Sequence, residues 1–364
     1  MFDRNFYKNK TILVTGHTGF KGSWLTRVLL TLGSRVVGYS LTPPTDPNLF
    51  TIAKLENSIT SVVGDIRDYE HLQSVFSKYQ PELVIHLAAQ PLVLESYKNP
   101  KYTYETNVMG TVNLLECIRN TPSVKSVLNV TTDKVYKNKE WCWGYREDEQ
   151  LDGFDPYSNS KSCSELVTHS YINSFFSNSN RKIAISTARA GNVIGGGDFS
   201  GNRIIPDCVR SVELCKDMII RNPNSIRPYQ HVLEPIFAYL MIVANQCDDI
   251  KYQGNFNIGP DDKDCVTTRE LVELFKITWV NLSGKNFNWL DGSDVNAPHE
   301  ANFLKLDCSK IKHVYGWKPI LGITDAIDLV CRFTKVFLAN ENIAHEMDQE
   351  INSYMEKFFN VEVE

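Results

Sequence analysis

Short apolar runs alternate with helix-period stretches through the first half of the chain. The runs are Thr11-Ile12-Leu13-Val14, Val36-Val37-Gly38-Tyr39, Ser61-Val62-Val63, Leu83-Val84-Ile85-His86-Leu87, Ser126-Val127-Leu128-Asn129-Val130 and Ile183-Ala184-Ile185-Ser186. They do not alternate cleanly between apolar and polar, the pattern of strands covered on both faces. Between the first two, Trp24, Leu25, Val28, Leu29 and Leu32 recur at helical spacing and stop at Gly33; a second helical pattern runs from Thr106 to Ile118. Repeated β-α-β units predict an α/β fold with a doubly wound parallel sheet. After residue 195 the pattern loosens. Gly195-Gly196-Gly197-Asp198 marks a turn or mobile loop, helical stretches follow at 206–216, 234–245, 267–283 and 322–339, and Phe256-Asn257-Ile258 reads as a strand. The expected division is a sheet domain over about 1–190, with later segments crossing back to it, a smaller mixed lobe over 191–340, and a polar, acidic tail over 341–364 forming a surface helix.

Composition narrows the class. Hydrophobic residues make up 42% of the 364 and charged residues 22%, which excludes a disordered or fibrous chain. The net charge of -5 gives no overall basic excess for a nucleic-acid backbone. No apolar run approaches the roughly 20 residues of a membrane helix, and the N-terminus lacks the apolar core of a signal peptide. Nine cysteines without a Cys-x-x-Cys pair read as reduced thiols of a cytoplasmic protein. No His/Cys/Asp cluster has metal-ligand spacing, so no metal is expected.

Candidate chemistry begins at the first strand-to-helix junction. Gly16, Gly19 and Gly22 in Thr15-Gly16-His17-Thr18-Gly19-Phe20-Lys21-Gly22 have the Gly-x-x-Gly-x-x-Gly spacing. Glycines there let the backbone approach a pyrophosphate at a helix N-terminus, so a Rossmann-type dinucleotide site is expected, with Phe20 in its wall. An acidic residue should follow about 20 positions on to hold the ribose. The chain has Gly38-Tyr39-Ser40-Leu41-Thr42-Pro43 instead, which leaves NAD and NADP both open. Ser40 either bonds the ribose or a phosphate, or belongs to a plain loop. Further along, Tyr157-Ser158-Asn159-Ser160-Lys161 places a phenol and an ammonium one helical turn apart, after the helix-start signal Pro156. Such a lysine is expected to lower the tyrosine pKa toward the working pH and make it a base for a hydroxyl proton.

These motifs resemble the extended short-chain dehydrogenases/reductases. That resemblance implies that Asp65 and Ile66 meet the adenine, that Leu87, Ala88 and Ala89 wall the ribose, and that Thr132 holds the reacting oxygen. The resemblance narrows with Thr132-Asp133-Lys134, Gly144-Tyr145-Arg146-Glu147, Asp155-Pro156-Tyr157, Arg189-Ala190-Gly191-Asn192-Val193-Ile194-Gly195-Gly196-Gly197-Asp198, Arg227-Pro228-Tyr229-Gln230-His231 and His299-Glu300-Ala301. Over about residues 8–335 the chain is similar to the nucleotide-sugar 4,6-dehydratases. Their usual Thr-Asp-Glu is Thr-Asp-Lys here, as in the CDP-sugar branch; Val135 and Tyr229 depart from the Cys and Trp of that pattern.

The resemblance implies NAD as cofactor and 4,6-dehydration of CDP-D-glucose to CDP-4-keto-6-deoxy-D-glucose. In that scheme Tyr157 takes the 4-hydroxyl proton, Lys161 holds Tyr157 and the nicotinamide ribose, and protonated Asp133 expels the 6-hydroxyl. Lys134 is either the C5 base, an enolate-steadying charge, or a relay through water. Asp133 must stay protonated near neutral pH, which calls for a desolvated site. Asn192, Arg203, Arg227, Asn257 and His299 fall where the family grips the nucleotide sugar. In the family the helical stretches 104–120 and 157–176 pair with their copies, so the resemblance implies a homodimer, with a tetramer as the alternative, and a bacterial route to the deoxysugars of surface polysaccharide such as O-antigen. Two rival readings remain: a nucleotide-sugar 4-epimerase, or a dehydratase for another nucleotide. A catalytically silent dinucleotide-binding scaffold is a third, against which the Thr132, Tyr157 and Lys161 set speaks.

Overall fold

A computed structural model describes residues 2–177, 181–293 and 304–360. Its centre is a sheet of seven parallel strands: β1 (Thr11–Thr15), β2 (Arg35–Ser40), β3 (Thr60–Val63), β4 (Leu83–His86), β5 (Ser126–Val130), β6 (Ala184–Ala190) and a seventh, Asn255–Ile258. Their order is seventh-β6-β5-β4-β1-β2-β3. The chain therefore winds outward from β1 to β3, returns past its start, and winds the other way from β4. That reversal opens a crevice at the strands' C-terminal ends between β1 and β4, where Thr15 pairs with both Tyr39 and His86.

β4, β5 and β6 are buried along their whole length, which is why their sequences do not alternate cleanly between apolar and polar residues. Alternate residues feed two cores. Ile12, Val14, Ile85 and Leu128 face one side, Leu13, Val84, Val127 and Ile185 the other. Each fully buried aliphatic side chain contributes about 1.5–3 kcal/mol.

The smaller lobe consists of helices Ile204–Leu214, Thr268–Ser283 and Ile323–Leu338 and of two-stranded ribbons, among them Ile226–Arg227 with Val266–Thr267. It has a third core around Phe275, Trp279 and Ile327. Between it and the central sheet runs Leu233–Asp248, a helix buried on nearly every face.

The C-terminal segment differs from the expected polar tail. Ile343–Asn360 is a helix that buries Ile343, Met347, Ile351, Tyr354, Met355 and Phe358. Its rings close over Phe237 of the buried helix, with centroids 4.7 Å away for Tyr354 and 5.0 Å for Phe358. The Tyr354 hydroxyl donates to Glu234 Oε2 at 2.9 Å, while Glu234 Oε1 accepts the Ile320 and Leu321 amides. Glu346, Asp348 and Glu356 stay partly or fully exposed while Glu350 is buried, and these charged positions hide the apolar stripe from composition alone. Among the described residues no helix is long and apolar enough to cross a membrane.

Candidate active site

The glycine turn sits at the head of the crevice. Gly16 has φ +76°, and a Cβ there would lie 2.7 Å from the Ala88 amide nitrogen; at Gly22 it would lie 2.1 Å from the Gly16 carbonyl oxygen. At Gly19 the closest atom would be 3.5 Å away. Gly16 therefore closes the turn against the segment after β4, Gly22 closes it on itself, and the middle glycine leaves the approach free. Helix Phe20–Thr31 starts at Gly19 without a side-chain cap, so its first amides are left for an anion. This cradle fits a dinucleotide pyrophosphate.

The neighbouring candidates line or buttress it. Thr15 Oγ1 accepts the Leu87 and Ala88 amides at 3.2 Å, which draws the Leu87-Ala88-Ala89 segment against the turn; all three are partly exposed. Phe20 reaches across to the loop at Gly195, where a Cβ would lie 3.1 Å from its ring. Ser40 and Thr18 share a hydrogen bond of 2.8 Å, so Ser40 ties the turn to the end of β2. His17, given no role by the sequence, packs its ring against Gly38 and bonds Ser61 Oγ at 2.8 Å; burial lowers its pKa to about 4. Asp65 is held by Arg67, whose guanidinium keeps its carboxyl below the usual range. Ile66 is buried beneath Gly110.

The reacting groups come from β5 and the helix Pro156–Tyr171. Asp155 caps that helix by accepting the Ser158 amide at 3.0 Å, and Pro156 takes the position where no amide is needed. Tyr157 and Lys161 then fall on one face. Thr132 Oγ1 donates to Asp133 Oδ1 at 3.0 Å; Asp133 is 2% exposed and its Oδ2 has no hydrogen-bond partner among the described residues. Burial raises the Asp133 pKa against the opposing pull of Lys134, Thr132, Arg227 and Lys21. That matches the demand for a carboxyl kept neutral. Lys134 stands beside it, half-buried.

One expectation is corrected here. Lys161 is not among the main influences on the Tyr157 pKa in this arrangement. Burial pushes Tyr157 up to about 12, helped by Asp133 and opposed by the Thr132 hydroxyl and Arg203. The Lys161 ammonium instead donates to the Val130 carbonyl at 3.1 Å, and burial plus Lys21 push its own pKa down to about 8.

On the far wall, Gly191 packs against the site, where a Cβ would lie 3.3 Å from Asp133 Oδ2, and Asn192 follows it, its carbonyl accepting the Gln230 amide. Arg227 is buried and acts on Asp133, while Arg203 pairs with buried Asp198 at 3.0 Å and acts on Tyr157. Both arginines thus converge on the site. Asn257 does not: it is 0% exposed, accepts the Tyr136 hydroxyl at 2.6 Å and donates to the Tyr145 and Asp307 carbonyls. With its amide fully used and no open surface, it fastens the end of the seventh strand. His299 lies outside the described residues.

Three groups were missed. Glu165 continues the face of Tyr157 and Lys161 one turn further, and takes Arg189 Nε at 2.9 Å plus the Thr131 and Thr187 hydroxyls. This buried pair anchors the catalytic helix to β6, and extending the i, i+4 spacing by one step would have found it. Lys21 and Asp198 stood inside quoted motifs, but nothing in their spacing marked them.

The seven-stranded sheet, the glycine cradle and the Thr-Tyr-Lys set define an extended short-chain dehydrogenase/reductase. Within that class the chain belongs to the GDP-mannose 4,6 dehydratase family, whose sequence model matches residues 13–330. It is 46% identical over 360 residues to the CDP-glucose 4,6-dehydratase of Salmonella typhimurium, covering 98% of this chain and 99% of that one. It is 28% identical to the CDP-paratose 2-epimerase of Salmonella typhi, over 89% and 98% of the two chains. Solved structures share the fold at lower identity. The UDP-glucose 4-epimerase of Thermotoga maritima with UDP-glucose gives a TM-score of 0.76 at 22% identity, over 90% of this chain and 99% of that one. The dTDP-glucose 4,6-dehydratase of Bacillus anthracis in complex with NAD gives 0.73 at 21%, over 92% and 99%.

Proposed function

We propose that this chain is a NAD-dependent hydro-lyase converting CDP-D-glucose to CDP-4-keto-6-deoxy-D-glucose. The observation that carries the reading is Asp133, a buried carboxyl with one free oxygen, beside the Thr132 and Tyr157 hydroxyls. Epimerisation at C4 needs no acid to expel a hydroxyl, whereas loss of the 6-hydroxyl does. The likeness to the Salmonella CDP-glucose 4,6-dehydratase supports the same choice and the cytidine base.

The glycine turn, Leu87–Ala89 and Lys161 would hold NAD, which when bound would supply the hydride acceptor for C4 and the hydride donor for C6. Thr132 holds the 4-oxygen and Tyr157 takes its proton. The C4 carbonyl then acidifies the C5 hydrogen, which passes to Lys134 or to a water that Lys134 holds. Neutral Asp133 gives its proton to the departing 6-hydroxyl, and one water leaves; C5 takes a proton back from the same base as C6 is reduced, and the proton held by Tyr157 returns to Asp133. Arg203 and Arg227 carry the charge for the substrate diphosphate, a task suited to the planar guanidinium, and Asn192 adds an amide. The enzyme acts in the cytoplasm as a homodimer. Exposed Leu94, Tyr97, Tyr104, Met109 and Leu166, on the helical segments around 93–109 and 156–171, supply the apolar surface for it.

The test is purified protein with NAD and, in separate tubes, CDP-, dTDP-, UDP- and GDP-hexoses. The expected result is loss of one water from CDP-glucose with no net NADH. A C4 isomer of unchanged mass would make the chain an epimerase, and NADH accumulating with oxidised sugar would remove the role given to Asp133.

A further inference from the structure

The segment that carries Asp133 and Lys134 makes few bonds of its own. β5 ends at Val130, and Asp133–Val135 form one short helical turn capped by the Thr132 hydroxyl, which accepts the Lys134 amide at 3.4 Å. One isolated turn is weak by itself, so side chains at its two ends must set its place.

Both ends are tied to the same buried carboxylate. Ahead of the turn, Thr131 Oγ1 donates to Glu165 Oε1 at 2.5 Å. Behind it, the Tyr136 hydroxyl accepts Arg189 Nη1 at 2.7 Å, and Arg189 Nε donates to both Glu165 oxygens at 2.9 Å. Thr131, Glu165, Arg189 and Tyr136 thus close a ring around Thr132-Asp133-Lys134, and all four are buried. The Tyr136 hydroxyl spends its own proton on Asn257 Oδ1 at 2.6 Å, so it is fixed from two sides. Its ring stacks on Tyr145 at a centroid distance of 5.1 Å. A further tie comes from Ser162, whose hydroxyl donates to the Val135 carbonyl at 2.7 Å.

We propose that Tyr136 is a positioning residue for the loss of water. Its hydroxyl, locked between Arg189 and Asn257, holds the far end of the turn and through it Asp133 and Lys134. This inference rests on the dehydratase reading above. The groups that oxidise C4 have other supports. Tyr157 and Lys161 stand on a helix capped by Asp155, Lys161 is bonded to the Val130 carbonyl, and Thr132 adjoins the Thr131 arm of the ring. Opening the Tyr136 arm therefore separates the two halves of the reaction.

The experiment follows single turnovers of CDP-glucose on NAD-loaded wild type, Tyr136→Phe and Tyr145→Phe. NADH absorbance reports C4 oxidation, and the mass of the quenched sugar reports water loss. Phenylalanine keeps the ring stack and removes only the hydroxyl. In Tyr136→Phe, NADH should form at the wild-type rate, and water loss should slow on the order of tenfold. Oxidised sugar that still carries its 6-hydroxyl should then accumulate. The NAD dissociation constant, read by calorimetry, should keep its wild-type value. Tyr145→Phe removes a neighbouring hydroxyl that bonds Asn138 and Lys139, outside the ring, and should leave both rates as in wild type. Ser162→Ala frees the Val135 carbonyl; it replaces Tyr136→Phe if that variant does not melt cooperatively, and should show the same split. Equal slowing of both steps, no slowing, weaker NAD binding, or the same split in Tyr145→Phe would make Tyr136 a packing residue and overturn the proposal. Wild type that loses no water from CDP-glucose would instead overturn the dehydratase reading, and the proposal with it.

Discussion

Asp133→Asn should make the protein more stable and the enzyme slower. The carboxyl is 2% exposed, one oxygen bonds Thr132, and the other has no partner. Its folded pKa is raised, with burial as the dominant cause. The sign follows from linkage: the folded state holds the proton more tightly than the unfolded chain, so stability falls as pH rises from about 4 toward the raised pKa and is then flat. Each tenfold weakening of the acid costs about 1.4 kcal/mol at higher pH. Leaving one buried oxygen unsatisfied costs about 1–3 kcal/mol. The amide cannot ionise, so the variant escapes the charge-burial part of this cost. A gain of that order raises the melting temperature by about 1–4 °C for a chain of this length. Calorimetry at pH 7.5 should show the gain, and the same scan at pH 4.5 should show it shrink. Water loss from CDP-glucose, read by mass, should fall about 10²–10⁴-fold, the usual contribution of a general acid. A variant that melts lower than wild type at pH 7.5 would mean that Lys134, Arg227 and Lys21 outweigh burial and that Asp133 is ionised. A retained elimination rate would mean that another group supplies the proton.

Glu165→Gln breaks the buried pair with Arg189 and should cost about 3–5 kcal/mol by denaturant unfolding. Glu165→Gln combined with Arg189→Met should recover part of that loss; a double variant no better than the single one would show that the two do not act as a pair. Gly22→Ala forces a methyl into the Gly16 carbonyl and should weaken NAD binding about 10²-fold by titration. An unchanged affinity would place the cofactor elsewhere. Phe358→Ala empties a site packed against Phe237 and Phe2 and should cost about 3–5 kcal/mol in thermal unfolding. A loss under about 1 kcal/mol, the scale of ordinary surface changes, would show that the C-terminal helix does not stabilise the fold.

The sheet was legible because its central strands are buried on both faces and leave short, mostly apolar runs between helical periods. The glycine turn and Tyr157–Lys161 were legible because their chemistry fixes local spacing. Asn257 was misread because a polar residue at a strand end looks alike whether it meets substrate or the Tyr145 and Asp307 carbonyls. The C-terminal helix was misread because acidic residues dilute its stripe of Met347, Ile351, Tyr354 and Phe358. Lys21 lay in a motif valued for its glycines. Its neighbours, Arg203 and Asp198, are remote in sequence and come together only through the fold.

The same distinction explains the reversed expectation at Tyr157. Spacing tells that Lys161 and Tyr157 share a helix face, but not what else surrounds them. Burial drives four groups of the centre toward their neutral forms: Tyr157 up to about 12, Lys161 and Lys21 down to about 8, Asp133 upward. For Asp133 that serves the chemistry, since an acid must hold its proton until the hydroxyl leaves. For Tyr157 it works against the chemistry, since a base must lose its proton. One environment cannot favour both, so the difference has to come from placement of charge. The Thr132 hydroxyl and Arg203 act on the phenol in the required direction, and an ammonium moved from the Val130 carbonyl toward Tyr157 would add to them. Lys161→Met should then leave the water-loss step intact and slow the oxidation of C4. Single-turnover NADH formation should fall at neutral pH and recover in part as pH rises. Equal loss at all pH values would make Lys161 a holder of the cofactor alone.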